Sequence, residues 1–188
     1  MSLASATFIA AINGERLDPA VSTSSNYIHF ISIKDWRRCV ECKENHGKIY
    51  SITECPDPKP PLHINCRCTI TEMQSISAGT ATIKGFDGAD FALKYTNKLP
   101  DYYITIEDLK KLGWKRGKPV SKFATGKTLT AGIYHNHNKH LPQAAGRIWY
   151  EADINYTSFF RNSQRIVYSN DGLIFVTYDH YETFYEII

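Results

Sequence analysis

A chain of 188 residues, 43% hydrophobic and 22% charged, is enough for one large folded domain or two small ones. No apolar run approaches the roughly 18 residues of a membrane span. The run at residues 8–12 is too short for a signal-peptide core and no basic segment precedes it, so synthesis in the cytoplasm without a signal peptide, and no membrane partner, are expected.

The net charge of +3 is unevenly spread. Residues 1–78 hold 8 Lys/Arg and 8 Asp/Glu; residues 79–188 hold 14 and 11. Between residues 109 and 150 no acidic side chain interrupts nine basic ones, Lys110, Lys111, Lys115, Arg116, Lys118, Lys122, Lys127, Lys139 and Arg147. Such a stretch suits a polyanion such as nucleic acid, or forms a solvated basic face. All five cysteines lie between Cys39 and Cys68, and their odd number argues against a fully paired secreted framework. Two units are predicted: a small Cys/His domain over 1–78 and a cysteine-free domain over 79–188, joined by a small, polar stretch at 73–82 that reads as a linker.

In the first unit Cys39-Val40-Glu41-Cys42 is followed, 20 residues later, by His63-Ile64-Asn65-Cys66-Arg67-Cys68. Two thiolates on a tight turn grip one ion, and a second group from a distant loop completes a tetrahedron. Cys39, Cys42 and Cys66 are the firmest ligands; His63 and Cys68 compete for the fourth place, and Cys55 is left over. A site closed by four protein ligands would hold structural zinc, not a catalytic ion. Read this way the cluster is not an active site, and a zinc-dependent nuclease is the weakest alternative. Cys39-x-x-Cys42, Gly47-Lys48-Ile49-Tyr50 and Pro60-Pro61-Leu62-His63-Ile64-Asn65-Cys66-Arg67-Cys68-Thr69 together resemble the C-terminal end of head-morphogenesis (minor capsid) proteins of Mu-like phages. The resemblance implies a piece of a phage-type protein or a trimmed carrier.

In the second unit helices come first and strands after. A short helix is expected over 90–97, ended by Lys98-Leu99-Pro100. Thr105 caps a second helix, with Asp108 three residues on and Gly113 as the stop. Residues 115–127 read as loop with one turn of helix. Strands are expected over 147–155, 165–169, 173–178 and 183–188, with Asn170-Asp171-Gly172 as a hairpin turn. Segregated helices and a twisted antiparallel sheet make the fold class α+β.

Glu151 on a strand, Arg161 and Arg165 after it and His180 beyond the hairpin form a minimal set for metal-free RNA cleavage. A base takes the 2′-OH proton, guanidiniums hold the phosphate, and an acid protonates the leaving 5′-oxygen.

Longer stretches then match in order: Phe86-Asp87-Gly88, Lys98-Leu99-Pro100-Asp101-x-Tyr103-Ile104-Thr105, Leu112-Gly113-Trp114, Leu141-Pro142, Gly146-Arg147-x-Trp149-x-Glu151 and on unbroken to Ser158, Phe160-Arg161-Asn162-Ser163-x-Arg165-Ile166 and Asp179-His180-Tyr181-x-Thr183-Phe184. Over about 105 residues the chain closely resembles the barnase-type bacterial ribonucleases. The resemblance implies the microbial ribonuclease fold, with RNA lying across the sheet. It implies Glu151 as general base, His180 as general acid, Arg165 and Arg161 on the scissile phosphate, and Tyr181 beside the substrate. No metal is needed for that chemistry, which is transesterification to a 2′,3′-cyclic phosphate and its slower hydrolysis.

Two positions depart from the family. Its phosphate-contacting lysine is replaced by Ile106, for which Lys110, four residues on, is a candidate substitute. Its base-binding carboxylate falls at Asn138, in the loop Tyr134-His135-Asn136-His137-Asn138-Lys139-His140. An amide offers guanine one acceptor where a carboxylate offers two. His135, Asn136, His137 and Asn138 are the candidate base contacts, with the histidines stacking on bases, acting as plain loop residues, or catching a stray metal.

The favoured reading is an endoribonuclease, the toxin domain of a phage-like or polymorphic toxin, with RNA as substrate. By resemblance, a barstar-like acidic inhibitor covers its basic face. Virion association or export as a toxin is expected for it. The alternative is a phage head module whose nuclease-like domain binds nucleic acid without cutting it.

Overall fold

The computed structural model describes residues 10–12, 15–17, 21–22, 25–157 and 160–188; residues 8 and 9 of the early apolar run and Ser158 of the matched stretch lie outside them. β1 (Ala10–Ile12) and β2 (Glu15–Leu17) pair antiparallel, and β3 (Val21–Ser22) joins a larger sheet. β4 (Tyr27–Ile31) pairs with both β5 (Ile49–Ser51) and β6 (Thr69–Glu72), and α1 (Val40–Asn45) lies between the first two in sequence. At 6 residues α1 is too short to persist alone. The Cys39 sulfur caps it by accepting the Cys42 N–H at 3.4 Å. A bidentate Arg67–Asp35 pair at 2.8 and 2.7 Å ties the approach to α1 to the segment around Cys66.

The rest of the chain contributes β7 (Ser75–Ile76), α2 (Ala89–Thr96), β8 (Tyr103–Thr105), α3 (Ile106–Lys111), β9 (Thr128–Tyr134), β10 (Trp149–Asp153), β11 (Arg165–Ser169), β12 (Ile174–Thr177) and β13 (Tyr185–Ile187). The large sheet runs β3-β7-β13-β12-β11-β10-β9-β8. Its centre, β9 to β13, is antiparallel, whereas β8–β9 and β7–β13 are parallel. Helices ahead of a mostly antiparallel sheet make the molecule α+β, as expected. Among the described residues no helix is long and apolar enough to cross a membrane.

The helix ends follow their local chemistry. Asn97 takes the left-handed conformation after α2 (φ 56), and the Thr105 hydroxyl accepts the Asp108 N–H at 3.1 Å at the start of α3. Residues 73–82 do not behave as the expected linker. Met73 is 1% exposed, Ser75 and Ile76 are fully buried, and β7 pairs with β13. The small polar residues there serve the interior: the buried Asp90 carboxylate accepts from Gly79 N–H (2.7 Å), Ala81 N–H (3.0 Å) and the Thr82 hydroxyl (2.9 Å).

β12 is buried at every residue because both faces of the sheet are covered. On one face Ile166, Ile174 and Val176 pack with Ala89 and Leu93 of α2. On the other, Val167 and Phe175 pack with Leu141, Trp149 and Phe184, and with Ile49 and Met73 from the first part of the chain. Burying Ile49 and Met73 contributes about 1.5–3 kcal/mol each. The N-terminal part therefore supplies core residues to the sheet that carries the candidate site.

Candidate active site

Glu151 sits in β10 where the register against β9 shifts between Glu151 and Ala152, opposite Gly132 at φ +86. A bulge of this kind re-aims the side chain beside it. The Glu151 carboxylate accepts a hydrogen bond from the Tyr181 hydroxyl, and the Tyr134 ring stacks on Tyr181 with centroids 5.2 Å apart. Burial, reinforced by the charge of Glu151, pushes the Tyr181 phenol well up and that of Tyr134 to about 12, so both stay protonated at neutral pH.

Asp153, two residues on and on the same face, is 1% exposed and joins the two arginines. Arg161 donates Nε to Oδ2 and Nη2 to Oδ1, both at 2.7 Å. Arg165, 5% exposed, brings its Nε within 3.0 Å of Oδ1 as an ion pair, out of line for a hydrogen bond. Its Nη1 donates to the carbonyls of Asn162 and Gln164 at 2.7 Å. Asp153 raises the guanidinium pKa of Arg161, with Glu151 and Tyr181 adding to the effect. Two guanidiniums against one buried carboxylate leave a positive excess beside Glu151. Asp153 was not singled out from sequence, although its i+2 spacing from Glu151 on a strand places both on one face.

His180 is exposed on the turn after β12. His180 and Tyr181 both have positive φ, 62° and 72°, a conformation non-glycine residues adopt only when the surroundings impose it. Asp179 imposes it: its carboxylate accepts from the Thr177 hydroxyl (3.0 Å), the Glu182 N–H (3.1 Å) and the Thr183 N–H (2.9 Å), as well as the Thr183 hydroxyl. The His180 and Tyr181 rings lie 4.8 Å apart. Glu151, Tyr181 and His180 thus form one group, with Arg161 and Arg165 held next to it.

The loop at 135–141 is closed by Asn136. Its amide donates to the Leu141 carbonyl (2.9 Å) and accepts the Leu141 N–H (3.1 Å), and the residue is 4% exposed. The Asn136 side chain is thereby spent inside the loop. His135 and His137 are exposed and stack with centroids 5.4 Å apart. The Asn138 amide bonds His140 Nδ1 at 3.0 Å, and its proximity slightly opposes the rise of the Tyr134 pKa. Tyr134 thus links this loop to Tyr181 and Glu151. Lys110 stands exposed on α3 and is not joined to the Glu151 group, while Ile106 packs against the cluster of Leu109, Trp114, Val120 and Leu129.

Far from Glu151 in sequence, the Cys/His residues converge. Cys39 Sγ and Cys42 Sγ each lie 3.2 Å from His63 Nε2, Cys42 Sγ lies 3.9 Å from Cys66 Sγ, and Cys42, Cys66 and Cys68 form a second close set. Thiolate and imidazole ligands of one tetrahedral zinc lie ~3.5–3.8 Å apart, close to these spacings, and the donor types suit the ion. His63 Nδ1 lies 2.8 Å from the Ile64 carbonyl. A proton donated there leaves Nε2 free to ligate. Cys55 is exposed and outside the cluster.

Comparison with known proteins matches two parts of the chain. A family model described as ribonuclease matches residues 88–188, and one described as Phage Mu protein F like protein matches residues 6–71. A protein named ribonuclease from Heyndrickxia coagulans is 48% identical over 109 residues, which is 57% of this chain and 99% of that protein. Proteins named ribonuclease from Bacillus intermedius and Bacillus pumilus are each 48% identical over 109 residues, with 67% of their lengths covered.

Proposed function

The chain belongs to the ribonuclease family, and from that premise we propose that its unit at 79–188 is an endoribonuclease that cleaves single-stranded RNA without a catalytic metal. The observation that carries this reading is the joining of Glu151, Tyr181 and His180 beside the Arg161–Asp153–Arg165 group.

Glu151 accepts the proton of the ribose 2′-OH, and the freed oxygen attacks phosphorus. Arg165 and Arg161 neutralise the charge that builds on the phosphoryl oxygens; Asp153 holds them in place beforehand, so little reorganisation is needed as that charge develops. His180 gives its proton to the 5′-oxygen as the P–O5′ bond breaks, leaving a 2′,3′-cyclic phosphate. In the slower second step His180 takes a proton from water and Glu151 returns one to the 2′-oxygen. His135, His137 and Asn138 would meet the base on the 5′ side of the cleaved bond, with the exposed His pair as a stacking surface. Asn136 shapes the loop that presents them. Lys110 is the residue on α3 proposed to stand in for the cation absent at Ile106.

The unit at 1–78 holds one structural zinc through Cys39, Cys42, His63 and Cys66, with Cys68 alongside. Joined to a Mu F-like segment, the nuclease acts as the toxin domain of a phage-like or polymorphic toxin, virion-associated or exported. An acidic inhibitor of the barstar type would cover its basic face in the producing cell.

Cleavage of a labelled single-stranded RNA in excess chelator tests this, comparing the native chain with Glu151→Ala. Cyclic ends from the native chain alone are expected. No cleavage by either folded protein would favour the alternative, a head module that binds nucleic acid, with Ile106 and Asn138 as marks of lost catalysis.

A further inference from the structure

The Cys/His unit lies on the sheet face that carries Glu151. Trp149, Glu151 and Asp153 alternate onto that face of β10, and Trp149 belongs to the cluster that Ile49 and Met73 complete. Tyr27 meets Phe175 edge-on at 5.3 Å. At the rim the Ser25 hydroxyl and Asn26 N–H donate to Glu186 (2.8 and 3.0 Å), and Lys34 pairs with Glu182, two residues beyond His180.

His140 is where this contact reaches the site. Its carbonyl accepts the Ile49 N–H at 2.7 Å. Its ring lies against Gly47, so close that a Cβ there would fall 3.0 Å from the ring. Its Nδ1 bonds the Asn138 amide at 3.0 Å, and the Tyr181 backbone lies close enough to the ring to oppose the lowering of its pKa by burial. One imidazole therefore touches the Cys/His unit, the loop at 135–141 and the turn that presents His180.

We propose that the Cys/His unit is a positioning element of the ribonuclease site: Gly47 and Ile49 seat His140, and His140 sets the spacing between the loop at 135–141 and the turn at 179–182. This deepens the ribonuclease reading and rests on it. RNA spans that gap, with a base on one side and the reacting phosphate on the other. A small change in the gap loosens the grip on a substrate held at both sides and shifts the His180 turn relative to the bound phosphate. His140 acts through its neighbours and is a positioning residue.

The test uses the full chain. Gly47→Ala pushes a methyl into the His140 ring. Gly113→Ala imposes the same backbone strain (φ +86 against +85) where nothing lies within 4 Å, and serves as control. Two readouts are taken: kcat and KM for a short single-stranded oligoribonucleotide, and amide hydrogen exchange over 135–141 and 179–182. Gly47→Ala is expected to raise KM roughly three-fold or more, with kcat falling by less, and to speed exchange in both segments, while Gly113→Ala does neither. An unchanged KM, or the same shift in both variants, overturns the proposal. If the native chain does not cleave RNA the ribonuclease reading falls, and exchange decides alone: unchanged exchange over 135–141 in Gly47→Ala overturns the positioning role. If Gly47→Ala does not fold, His140→Ala replaces it, with the same split between KM and kcat expected and an unchanged KM overturning the proposal.

Discussion

Asp153 grips Arg161 through both carboxylate oxygens, each N–O distance being 2.7 Å, and the same buried carboxylate is the counter-charge of Arg165. Replacing it by Asn leaves a guanidinium that is 5% exposed without a charge partner. Asp153→Asn is therefore expected to destabilise the fold by about 3–5 kcal/mol, read from urea unfolding. It should also lower kcat, because neither arginine keeps its aim at the phosphate.

Tyr181→Phe removes the hydroxyl that donates to Glu151. A hydrogen bond of this kind contributes about 1.5–3 kcal/mol to stability, so the melting temperature should fall, and kcat/KM should fall with it because the Glu151 side chain loses its anchor. Steady-state kinetics on a dinucleotide would decide it; an unaltered rate would mean that β10 alone aims the base.

His46 makes stability sensitive to acid. Burial, with the nearby charges of Lys34 and Arg38 and the ring of His140, lowers its pKa to about 4, Glu182 opposing, and its Nδ1 accepts the Ser32 N–H at 3.0 Å. The unfolded chain takes up this proton near pH 6.5, well before the folded one does. This contribution is complete above pH 6.5 and is lost as the pH falls toward 4, by about 1–2 kcal/mol once solvent screening is allowed for. Urea midpoints at pH 7 and pH 5 should differ, and His46→Gln should reduce the difference.

Metal removal should act on folding before chemistry. Purified protein is expected to carry about one zinc per chain. Chelation or Cys42→Ser should lower the melting temperature, since the short α1 depends on the cross-link. RNA cleavage should persist in chelator below the new melting temperature. Metal analysis with calorimetry checks the first two expectations; activity that stops on chelation while the fold remains would contradict the third.

Local chemistry determined much of this protein. Thr105 with Asp108, the turn at Asn170-Asp171-Gly172 and the apolar runs in β11 and β12 act over a few residues, so they are legible in the sequence as helix ends and strands. The spacing of Cys39, Cys42, His63, Cys66 and Cys68 pointed to a donor cluster, which the fold gathers, and Glu151, Arg161, Arg165 and His180 stand out in the sequence as the candidates for the proposed chemistry. Tertiary structure alone decided how these parts meet. Residues 73–76 look like a linker until β13 pairs with them. β8 and β9 pair in parallel across an intervening helix, a contact without local signature. Asn136 reads as a base contact until Leu141 takes its amide, and His140 reads as one loop histidine among several until Gly47 and Ile49 close on it. Short-range signals describe which conformation each segment prefers. Contacts such as those of Gly47 and Ile49 with His140, or of β7 with β13, join residues far apart in sequence, and they are settled only when the core closes.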